Sequence, residues 1–406
     1  MVHSHTGGEN TSRRTTLKRA AAAGSLLLTG VPASASSDAT EITESTTIDE
    51  PGEYKLTSDI NTSGNGITID AYDVTLDGNG HMLSGHGSGT GVQVVKFGMY
   101  SGITVTNVTV KGFQTGFENS EYGYNTVESS TFENNAGDGV NVPYGGQLTC
   151  NGCTIEQNGG TAVSMSEYTE LSASDCNLRN NDGSAIAGGW SHAVSLTDSD
   201  VVGNGGGVEI SPKSGTAVRG TQIRNNSGAG IETAISDFGT APDSVPVENC
   251  EIRNNNGPGI RHDTGFLEIR GCTLAGNQVG YEWSTVERYP EHQAVLRHNN
   301  ILNNTEYGVV VTHSRENVDP VDAECNYWGH PTGPDHEDNP RNNPKGQPVS
   351  DQVEYIAWSV ERIEGGEGEC VGGDGNDTQT KTSSRRRGHG GKNNPGRGHG
   401  RGRGNQ

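Results

Sequence analysis

Four charged residues in the middle of the chain have types and spacing suited to chemistry on a polysaccharide. Each directly follows an apolar residue that opens a short strand pattern, and they step by 23, 29 and 21 residues: Glu209, Glu232, Arg261 and Glu282. If successive strands lie side by side, these side chains form a row with about 4.8 Å between neighbours. Such groups can act as general acid or base, and facing carboxylates can hold Ca²⁺. The alternative is an exposed charged stripe in which opposite charges on adjacent strands pair.

Large aromatic residues follow the same strand positions, in segments that we predict to be loops. Exposed rings beside polar side chains on a flat sheet suit the binding of an extended polysaccharide or cell-surface glycan, which is the partner that we expect. The rings in question are Tyr168, Trp190, Phe238, Trp283 and Tyr289. No spacing of His, Cys, Asp or Glu is specific for a metal site. We therefore predict no metal ligands and leave the cofactor unknown, with Ca²⁺ as the candidate.

A repeat positions all of these residues. Eight times an apolar anchor is followed at plus three by asparagine, and the anchors step by 23, 23, 23, 22, 29, 22 and 27 residues. After each asparagine come a Gly-containing turn and a further short apolar strand. The pairs are Phe132/Asn135, Ile155/Asn158, Leu178/Asn181, Val201/Asn204, Ile223/Asn226, Ile252/Asn255, Leu274/Asn277 and Ile301/Asn304.

Three short strands per repeat cannot bury their apolar side chains alone. Stacked in register they form three parallel sheets around a narrow core, which is a parallel β-helix. Asparagine fits the corner because it tolerates the left-handed backbone region and its amide can bond to the asparagine of the next coil. The fold class is therefore predicted to be all-β. A β-propeller is excluded, because its period of about 40–45 residues does not fit.

The composition agrees with a repetitive fold. Apolar residues make up 30% of the 406 residues and glycine occupies 61 positions, which leaves too few apolar side chains for an ordinary compact enzyme. No apolar run approaches the roughly 18 residues of a membrane span. The net charge is −22, which we interpret as halophilic adaptation.

Most cysteines follow the repeat as well. Cys150 lies at a core position, and Cys370 is left over in the C-terminal tail. We interpret the others as small buried side chains in a stack. Export permits disulfides between neighbouring coils, Cys153 with Cys176 and Cys250 with Cys272. The shared position lies two residues before an anchor, or beside Tyr327 in the last case: Cys153, Cys176, Cys250, Cys272 and Cys325.

Two further stretches resemble a known family. The segment from Val74 to His81, VTLDGNGH, is similar to its opening coil, and Asn326-Tyr327-Trp328-Gly329 is similar to its closing motif. The chain thus resembles the secreted right-handed parallel β-helix proteins of the pectin-lyase-like superfamily, in particular the NosD-type proteins of halophilic archaea. The resemblance covers roughly residues 42–335 and implies a right-handed solenoid. Members include lyases, hydrolases, epimerases, binding proteins and surface proteins, so it implies no single activity.

The two terminal segments of the chain have distinctive sequences. The stretch SRRTTLK at residues 12–18 resembles a twin-arginine export signal, and an apolar segment and the small-residue site Ala33-Ser34-Ala35 follow it. We therefore expect an exported protein, extracellular or on the cell surface. The last 29 residues, 378–406, hold eight basic residues and no acid. We expect this tail to contact an anionic surface; nucleic acid is disfavoured for an exported protein.

These patterns predict five segments. They are a signal peptide at 1–35, an N-terminal cap at 36–66, the β-helix at 67–328, a closing segment at 329–363 and a disordered Gly/Arg-rich tail at 364–406. The favoured function is binding of an extended polysaccharide along one sheet. One alternative is a polysaccharide lyase or glycoside hydrolase that acts on acidic glycans through the charged row. Another is a structural surface protein or a NosD-like copper-associated protein.

Overall fold

The computed structural model describes residues 39–97, 101–119, 121–188, 192–233, 244–284, 293–312, 319–366 and 368–371. The predicted signal peptide and most of the predicted basic tail lie outside these ranges. Within the described residues the regular elements are 37 short β-strands, without a helix. Accordingly, nothing in this part of the chain is a helix of the length and apolarity needed to cross a membrane.

The strands are two to five residues long and follow one another in a repeating order. They are β1 (Thr40–Ile42), β2 (Thr46–Ile48), β3 (Gly52–Leu56), β4 (Ile60–Asn61), β5 (Ile67–Ile69), β6 (Val74–Asp77), β7 (Met82–Ser84), β8 (Thr90–Val94), β9 (Thr104–Thr106), β10 (Thr109–Lys111), β11 (Thr115–Glu118), β12 (Tyr124–Glu128), β13 (Thr131–Glu133), β14 (Val140–Val142), β15 (Gln147–Asn151), β16 (Thr154–Glu156), β17 (Val163–Met165), β18 (Glu170–Ser174), β19 (Asn177–Arg179), β20 (Ser184–Gly188), β21 (Ala193–Thr197), β22 (Asp200–Val202), β23 (Gly206–Ile210), β24 (Ala217–Arg219), β25 (Gln222–Arg224), β26 (Ile231–Thr233), β27 (Val245–Glu248), β28 (Glu251–Arg253), β29 (Ile260–His262), β30 (Phe266–Arg270), β31 (Thr273–Ala275), β32 (Val279–Trp283), β33 (Gln293–Arg297), β34 (Asn300–Leu302), β35 (Tyr307–Val311), β36 (Val321–Asp322) and β37 (Val353–Glu354).

Each strand pairs in parallel with its counterpart one coil on, so the described strands build three sheets. In chain direction a typical coil passes from sheet 1 to sheet 2 to sheet 3, as β15, β16 and β17 do. Sheet 1 runs β1-β3-β6-β9-β12-β15-β18-β21-β24-β27-β30-β33-β36-β37, sheet 2 runs β4-β7-β10-β13-β16-β19-β22-β25-β28-β31-β34, and sheet 3 runs β2-β5-β8-β11-β14-β17-β20-β23-β26-β29-β32-β35. This is the predicted parallel β-helix, and the strand prediction after each asparagine is confirmed.

The core is a stack of equivalent side chains. Phe132, Ile155 and Leu178, anchors of the repeat, pair in register on β13, β16 and β19 and are at most 1% exposed. Alternate residues of each strand point outward, because side chains of a β-strand alternate between its two faces. The narrow interior explains how a chain with so few apolar residues folds: each coil needs only a handful of inward side chains.

The eight asparagines form the predicted ladder. All eight are buried, and the Nδ2 of each of the first seven donates to the Oδ1 of the next asparagine over 2.9–3.4 Å, as from Asn135 to Asn158. Each Oδ1 beyond the first also accepts from the backbone N–H of the preceding asparagine, at 3.0 Å for Asn158. The side-chain amides and the backbone N–H groups at this corner therefore form hydrogen bonds with one another. Past Asn304 the Oε1 of Gln347 takes the place of a ninth asparagine and accepts from the Asn304 N–H at 2.9 Å.

Pairing also occurs outside residues 67–328. Residues 40–61, in the segment predicted as a cap, supply β1–β4, which pair with the following coil in all three sheets. At the other end Val371, in the described part of the predicted tail, forms an antiparallel bridge with Trp358.

The cysteine stack is confirmed with one correction. Cys150, Cys153, Cys176, Cys250 and Cys272 are buried and have free thiols. Cys325 was expected in the same stack, but Asn326 occupies the inward position and Cys325 lies one residue earlier, in the turn. The buried anchor of that coil is Trp328, which shifts the register by one. Cys370, expected to be left over, is bonded to Cys325 in a disulfide.

Candidate functional site

The four charged residues predicted to form a row do lie in register on the outer face of sheet 3. Glu209 pairs with Glu232, Glu232 with Arg261, and Arg261 with Glu282, on strands β23, β26, β29 and β32. Each side chain follows an inward apolar residue, so the alternation of the strand directs it outward. We call these four residues the charged row.

Arg261 forms ion pairs with two of the three glutamates of this row. Its guanidinium lies 3.4 Å from Glu232 and 3.4 Å from Glu282, with all three side chains between 21% and 44% exposed. Partial burial opposes the charge of Arg261, but the two carboxylates outweigh it and raise the guanidinium pKa. Ion pairs with this exposure contribute only about 0–1 kcal/mol. The pairing is the cross-strand neutralisation that the alternative interpretation expects.

Glu209 differs from Glu232 and Glu282 because it does not share their ion pairs with Arg261. Burial raises its pKa above the ordinary 4.5, and the neighbouring charge of Glu232 adds to this, although a hydrogen bond from the Gly188 N–H at 3.3 Å and the nearby His192 oppose it. The imidazole of His192 is close by, with its Nε2 3.1 Å from the backbone oxygen of Glu209. A carboxyl whose pKa is raised by burial thus lies next to Glu232 on the adjacent strand.

The predicted aromatic residues divide into three groups. Trp190, Phe238 and Tyr289 lie outside the described residues. Trp283 was expected in a loop, but it is the last residue of β32 and is 1% exposed. Its side chain points inward because it lies two residues after the inward Tyr281. Its ring stacks on the buried His262 ring, with 5.6 Å between the ring centroids. The assignment of Trp283 to a glycan-binding surface is therefore wrong. Tyr168 is 38% exposed, as the prediction requires.

Tyr168 belongs to a column of aromatic rings that the sequence analysis missed. Tyr122, Tyr144 and Tyr168 pack edge to face on three successive coils, with ring centroids 5.5 and 5.4 Å apart. Phe97 extends the contact by one coil, at 5.6 Å from Tyr122. Tyr144 and Phe97 are 40% and 62% exposed. We call Tyr122, Tyr144 and Tyr168 the tyrosine column.

The backbone of this column is held in an unfavourable conformation. Tyr122 and Tyr168 have φ of 55° and 60°, a region that bulky L-residues rarely adopt. In the coil between them Gly145 takes the equivalent place, with φ 69°. A Cβ on Gly145 would lie 2.6 Å from the Tyr122 ring, so glycine makes room for that ring. Such conformations cost about 1–3 kcal/mol each and concentrate at functional sites.

A groove lies on the outer face of sheet 1, next to the turns that carry the column. Each tyrosine comes two or three residues before a strand of sheet 1: Tyr122 before β12, Tyr144 before β15 and Tyr168 before β18. We call the depression on these strands the sheet groove; its volume is about 280 Å³. Outward side chains that line it are Tyr124, Thr126, Gln147, Thr149, Glu170, Ser172 and Ser195.

The sheet groove is lined by hydroxyl and amide groups in rows. Thr126, Thr149, Ser172 and Ser195 form one such row, in register across four coils. The loop before β24 borders the groove with Ser214 and Gly215, and its Lys213 reaches Glu170 at 3.6 Å. That ion pair offsets the charge of Glu170, the sole acidic side chain among the lining residues. The surface can therefore donate and accept hydrogen bonds while carrying little net charge.

One sequence signal could have revealed the column. Tyr72, Phe97, Tyr122, Tyr144 and Tyr168 recur every 22 to 25 residues, which is the coil length. The repeat was traced through its inward residues, whereas these aromatic residues lie in the turns between coils. Their period shows that they stack, but only the structure shows that the rings are exposed.

Comparison with known proteins supports the architecture. The family described as right-handed β-helix region matches residues 57–215, 117–260 and 191–322. Curated protein sequences give no significant match. Among solved structures, the A-module of the Azotobacter vinelandii mannuronan C-5 epimerase AlgE4 is similar, with a TM-score of 0.51 and 14% identity over 78% of this chain and 91% of that one.

A second solved structure with a similar course is the catalytic domain of a GH87 α-1,3-glucanase in complex with nigerose. Its TM-score is 0.40 and its identity 14%, over 78% of this chain and 62% of that one. The epimerase module shows the same fold at low sequence identity. The family match spans well over half of the sequence, and the described strands form its parallel solenoid. The chain therefore belongs to the right-handed β-helix family.

Proposed function

We propose that the protein is exported and binds an extended polysaccharide in the sheet groove, with the tyrosine column as a stacking surface. The observation that carries this proposal is the column: three neighbouring rings on successive coils, two of them on residues held at positive φ. Export rests on the paired arginines Arg13 and Arg14 and the apolar segment that follows them.

The chemistry of the groove matches that of a sugar chain. Pyranose rings offer apolar C–H faces that pack on aromatic rings, and hydroxyl groups that bond to Thr, Ser, Gln and Glu side chains. The coil repeat of about 4.8 Å presents the same groups again for each successive sugar. Individual contacts are weak, but contacts repeated along one ligand chain raise the overall affinity.

Affinity electrophoresis of the whole protein in high salt, over a panel of neutral and acidic polysaccharides, tests this proposal. Replacing Tyr144, the middle ring of the column, by alanine should weaken binding about tenfold, because a central aromatic contact is worth about 1–2 kcal/mol. Tyr307→Ala is the matched control, since Tyr307 is 39% exposed at the start of β35 in sheet 3. Unchanged binding by Tyr144→Ala, or equal loss in both variants, contradicts the proposal.

A second candidate function is cleavage of a glycan at the charged row. Glu209, with its raised pKa, lies next to Glu232, whose charge is balanced by Arg261. Two neighbouring carboxyl groups, one of them with a raised pKa, are the arrangement that glycoside hydrolases use. In this function Glu209 donates the proton and Glu232 acts as base or nucleophile.

Release of reducing or unsaturated sugar ends separates the two functions. If the charged row is catalytic, Glu209→Gln and Arg261→Ala should each lower the rate by at least about 100-fold. Glu118→Gln is the control, because Glu118 points outward on β11 of the same sheet and bonds to Gln93 rather than to the row. Activity that survives the first two substitutions places the reaction elsewhere. Binding without release of sugar ends favours the sheet groove alone.

A further inference from the structure

Three potential metal-ligating side chains meet near the C-terminal end of sheet 1. One nitrogen of His298 and the sulfur atoms of Cys325 and Cys370 all lie within 4.8 Å of one another. Within the described ranges no other group of three such residues is this close. All three side chains are half-buried, so an ion could reach them from solvent.

The fold itself brings two of these residues together. His298 and Cys325 occupy the tight turn from sheet 1 to sheet 2 on consecutive coils, with φ of 57° and 62°. The coils are kept in register there by a hydrogen bond from Asn299 Nδ2 to Asn326 Oδ1 at 3.0 Å. Side chains at this turn point away from the core, so the imidazole and the sulfur project to the same side.

The residue types at this turn change in the last two coils. A positive φ favours glycine and tolerates asparagine, aspartate and histidine. At the equivalent position of eight earlier coils, seven residues are of these types and one is a serine. Cysteine is not favoured by such a backbone, so the presence of Cys325 reflects the partners of its sulfur atom, the disulfide to Cys370 and the nearby imidazole of His298. The earlier residues are Asn107, Ser129, Gly152, Asp175, Asp198, Gly220, Asn249 and Gly271.

Backbone hydrogen bonds hold the third residue in place. The N–H of Val371, next to Cys370, donates to the oxygen of Trp358 at 2.9 Å, and the Trp358 N–H donates back at 3.2 Å. The N–H of Cys325 donates to the oxygen of Ala357 at 2.7 Å. Both cysteines are thus tied to neighbouring residues of one segment, and their sulfur atoms form a disulfide.

We propose that His298, Cys325 and Cys370 form a zinc-binding site when this disulfide is reduced. A thiol reductant supplies two electrons, and with two protons the disulfide becomes two thiols. Binding of Zn²⁺ then releases both thiol protons and forms two Zn–S bonds. The imidazole is the third ligand, and a water completes the tetrahedron. Thiolate and imidazole ligands select zinc over Ca²⁺ or Mg²⁺.

The neighbouring pair Cys153 and Cys176 does not offer an equivalent site. A hydrogen bond with Cys150 and burial raise the pKa of Cys153 to about 12, and Cys176 is shifted in the same direction by its contact with Cys153 and by burial. Metal binding requires the deprotonated thiolate, which these environments oppose. The proposed site has no sequence signature, because its ligands are 27 and 45 residues apart.

Zinc titration of the full chain tests the proposal. The protein is reduced with a phosphine, Zn²⁺ is added in competition with a chromophoric chelator, and Co²⁺ is used as a spectroscopic substitute. We expect one tight Zn²⁺ per reduced chain, none per oxidised chain, and thiolate-to-cobalt charge-transfer absorption for the Co²⁺ form. A reduced chain that does not compete for Zn²⁺ overturns the proposal.

Three variants test which residues bind Zn²⁺. His298→Asn keeps a residue that the turn tolerates, and it should weaken Zn²⁺ binding at least tenfold. Cys370→Ser should abolish the charge-transfer band, and circular dichroism checks that the β-helix remains folded. Cys176→Ser is the matched control and should bind as the parent does. Tight binding that survives in both His298→Asn and Cys370→Ser overturns the proposal, and so does binding that is lost only in Cys176→Ser.

Discussion

The asparagine ladder makes a quantitative prediction at Asn158, in the coil between Tyr144 and Tyr168. Its Oδ1 accepts from the backbone N–H and the Nδ2 of Asn135 at 3.0 and 2.9 Å, and its Nδ2 donates to Phe132 O and to Asn181 Oδ1 at 3.1 and 2.9 Å. Asn158→Leu fills a similar volume but removes all four hydrogen bonds. Two buried donors of Asn135 then lose an acceptor at about 1–3 kcal/mol each, so we expect a loss of about 2–6 kcal/mol.

Urea unfolding in high salt, followed by tyrosine and tryptophan fluorescence, measures this loss. Gln157→Gly is the control: Gln157 is the exposed neighbour in the same turn, with φ 55°, and glycine suits that backbone. The control should stay within about 1 kcal/mol of the parent. A loss below about 1 kcal/mol for Asn158→Leu, or an equal loss for both variants, would refute the view that ladder hydrogen bonds stabilise the coil stack.

Four further predictions concern charge and location. Because the folded state raises the pKa of Glu209, its stabilising contribution is complete at pH values below 4.5 and is lost as the pH rises through the raised pKa; Glu209→Gln should therefore exceed the parent in urea midpoint at pH 7 and match it near pH 4. Since the chain carries a net charge of −22, its urea midpoint should rise from about 0.2 M to about 2 M KCl, and a flat response would contradict halophilic adaptation. Because the sheet groove carries little net charge, neutral polysaccharides should bind more tightly than polyuronates in affinity electrophoresis at low salt, with the difference shrinking as salt is added; the reverse order would show that the groove is not the binding surface. Joint replacement of Arg13 and Arg14 by lysine should leave the protein in the cytoplasm, as immunoblots of cell fractions would show; continued export would exclude the twin-arginine route.

The fold was predictable because the repeat constrains inward residues strongly. An apolar anchor such as Ile155 and a corner asparagine such as Asn158 must each lie over its counterpart in the next coil. Otherwise the narrow core would not be filled and the hydrogen bonds of the asparagine ladder would not form. Eight consistent copies therefore determined the strand order, the register of sheet 3 and the alignment of Glu209 with Glu232.

Two errors came from shifts of one or two residues. The sequence pattern predicts that Trp283 lies in a loop, although alternation after the inward Tyr281 directs it into the core at the end of β32. The pattern also aligns Cys325 through Tyr327, whereas the larger Trp328 fills the anchor position. Near the end of the solenoid the repeat is irregular, and the choice between adjacent residues depends on packing that a single sequence does not show.

The tyrosine column was missed for a different reason. Outward residues are not constrained by the core, so their pattern is weaker than that of the anchors. Whether Tyr144 lies flat, packs on Tyr168 or extends into solvent depends on turn geometry, including the positive φ of Tyr122 and the glycine at position 145. These backbone conformations could not be derived from residue type, because tyrosine is rarely found in them.

The glutamine that ends the asparagine ladder has a consequence for the last edge of sheet 3. Gln347 satisfies the last corner, and the segment around it places Pro348 O on the N–H of Gly308 at 2.8 Å. Without this segment β35, the last strand of sheet 3, would present an unpaired edge, and the Asn304 N–H would lose its acceptor. An edge of this kind is the surface onto which each coil of the protein stacks. The segment around Gln347 therefore occupies the place of a further coil in sheet 3, as the capping segments of solenoid proteins do.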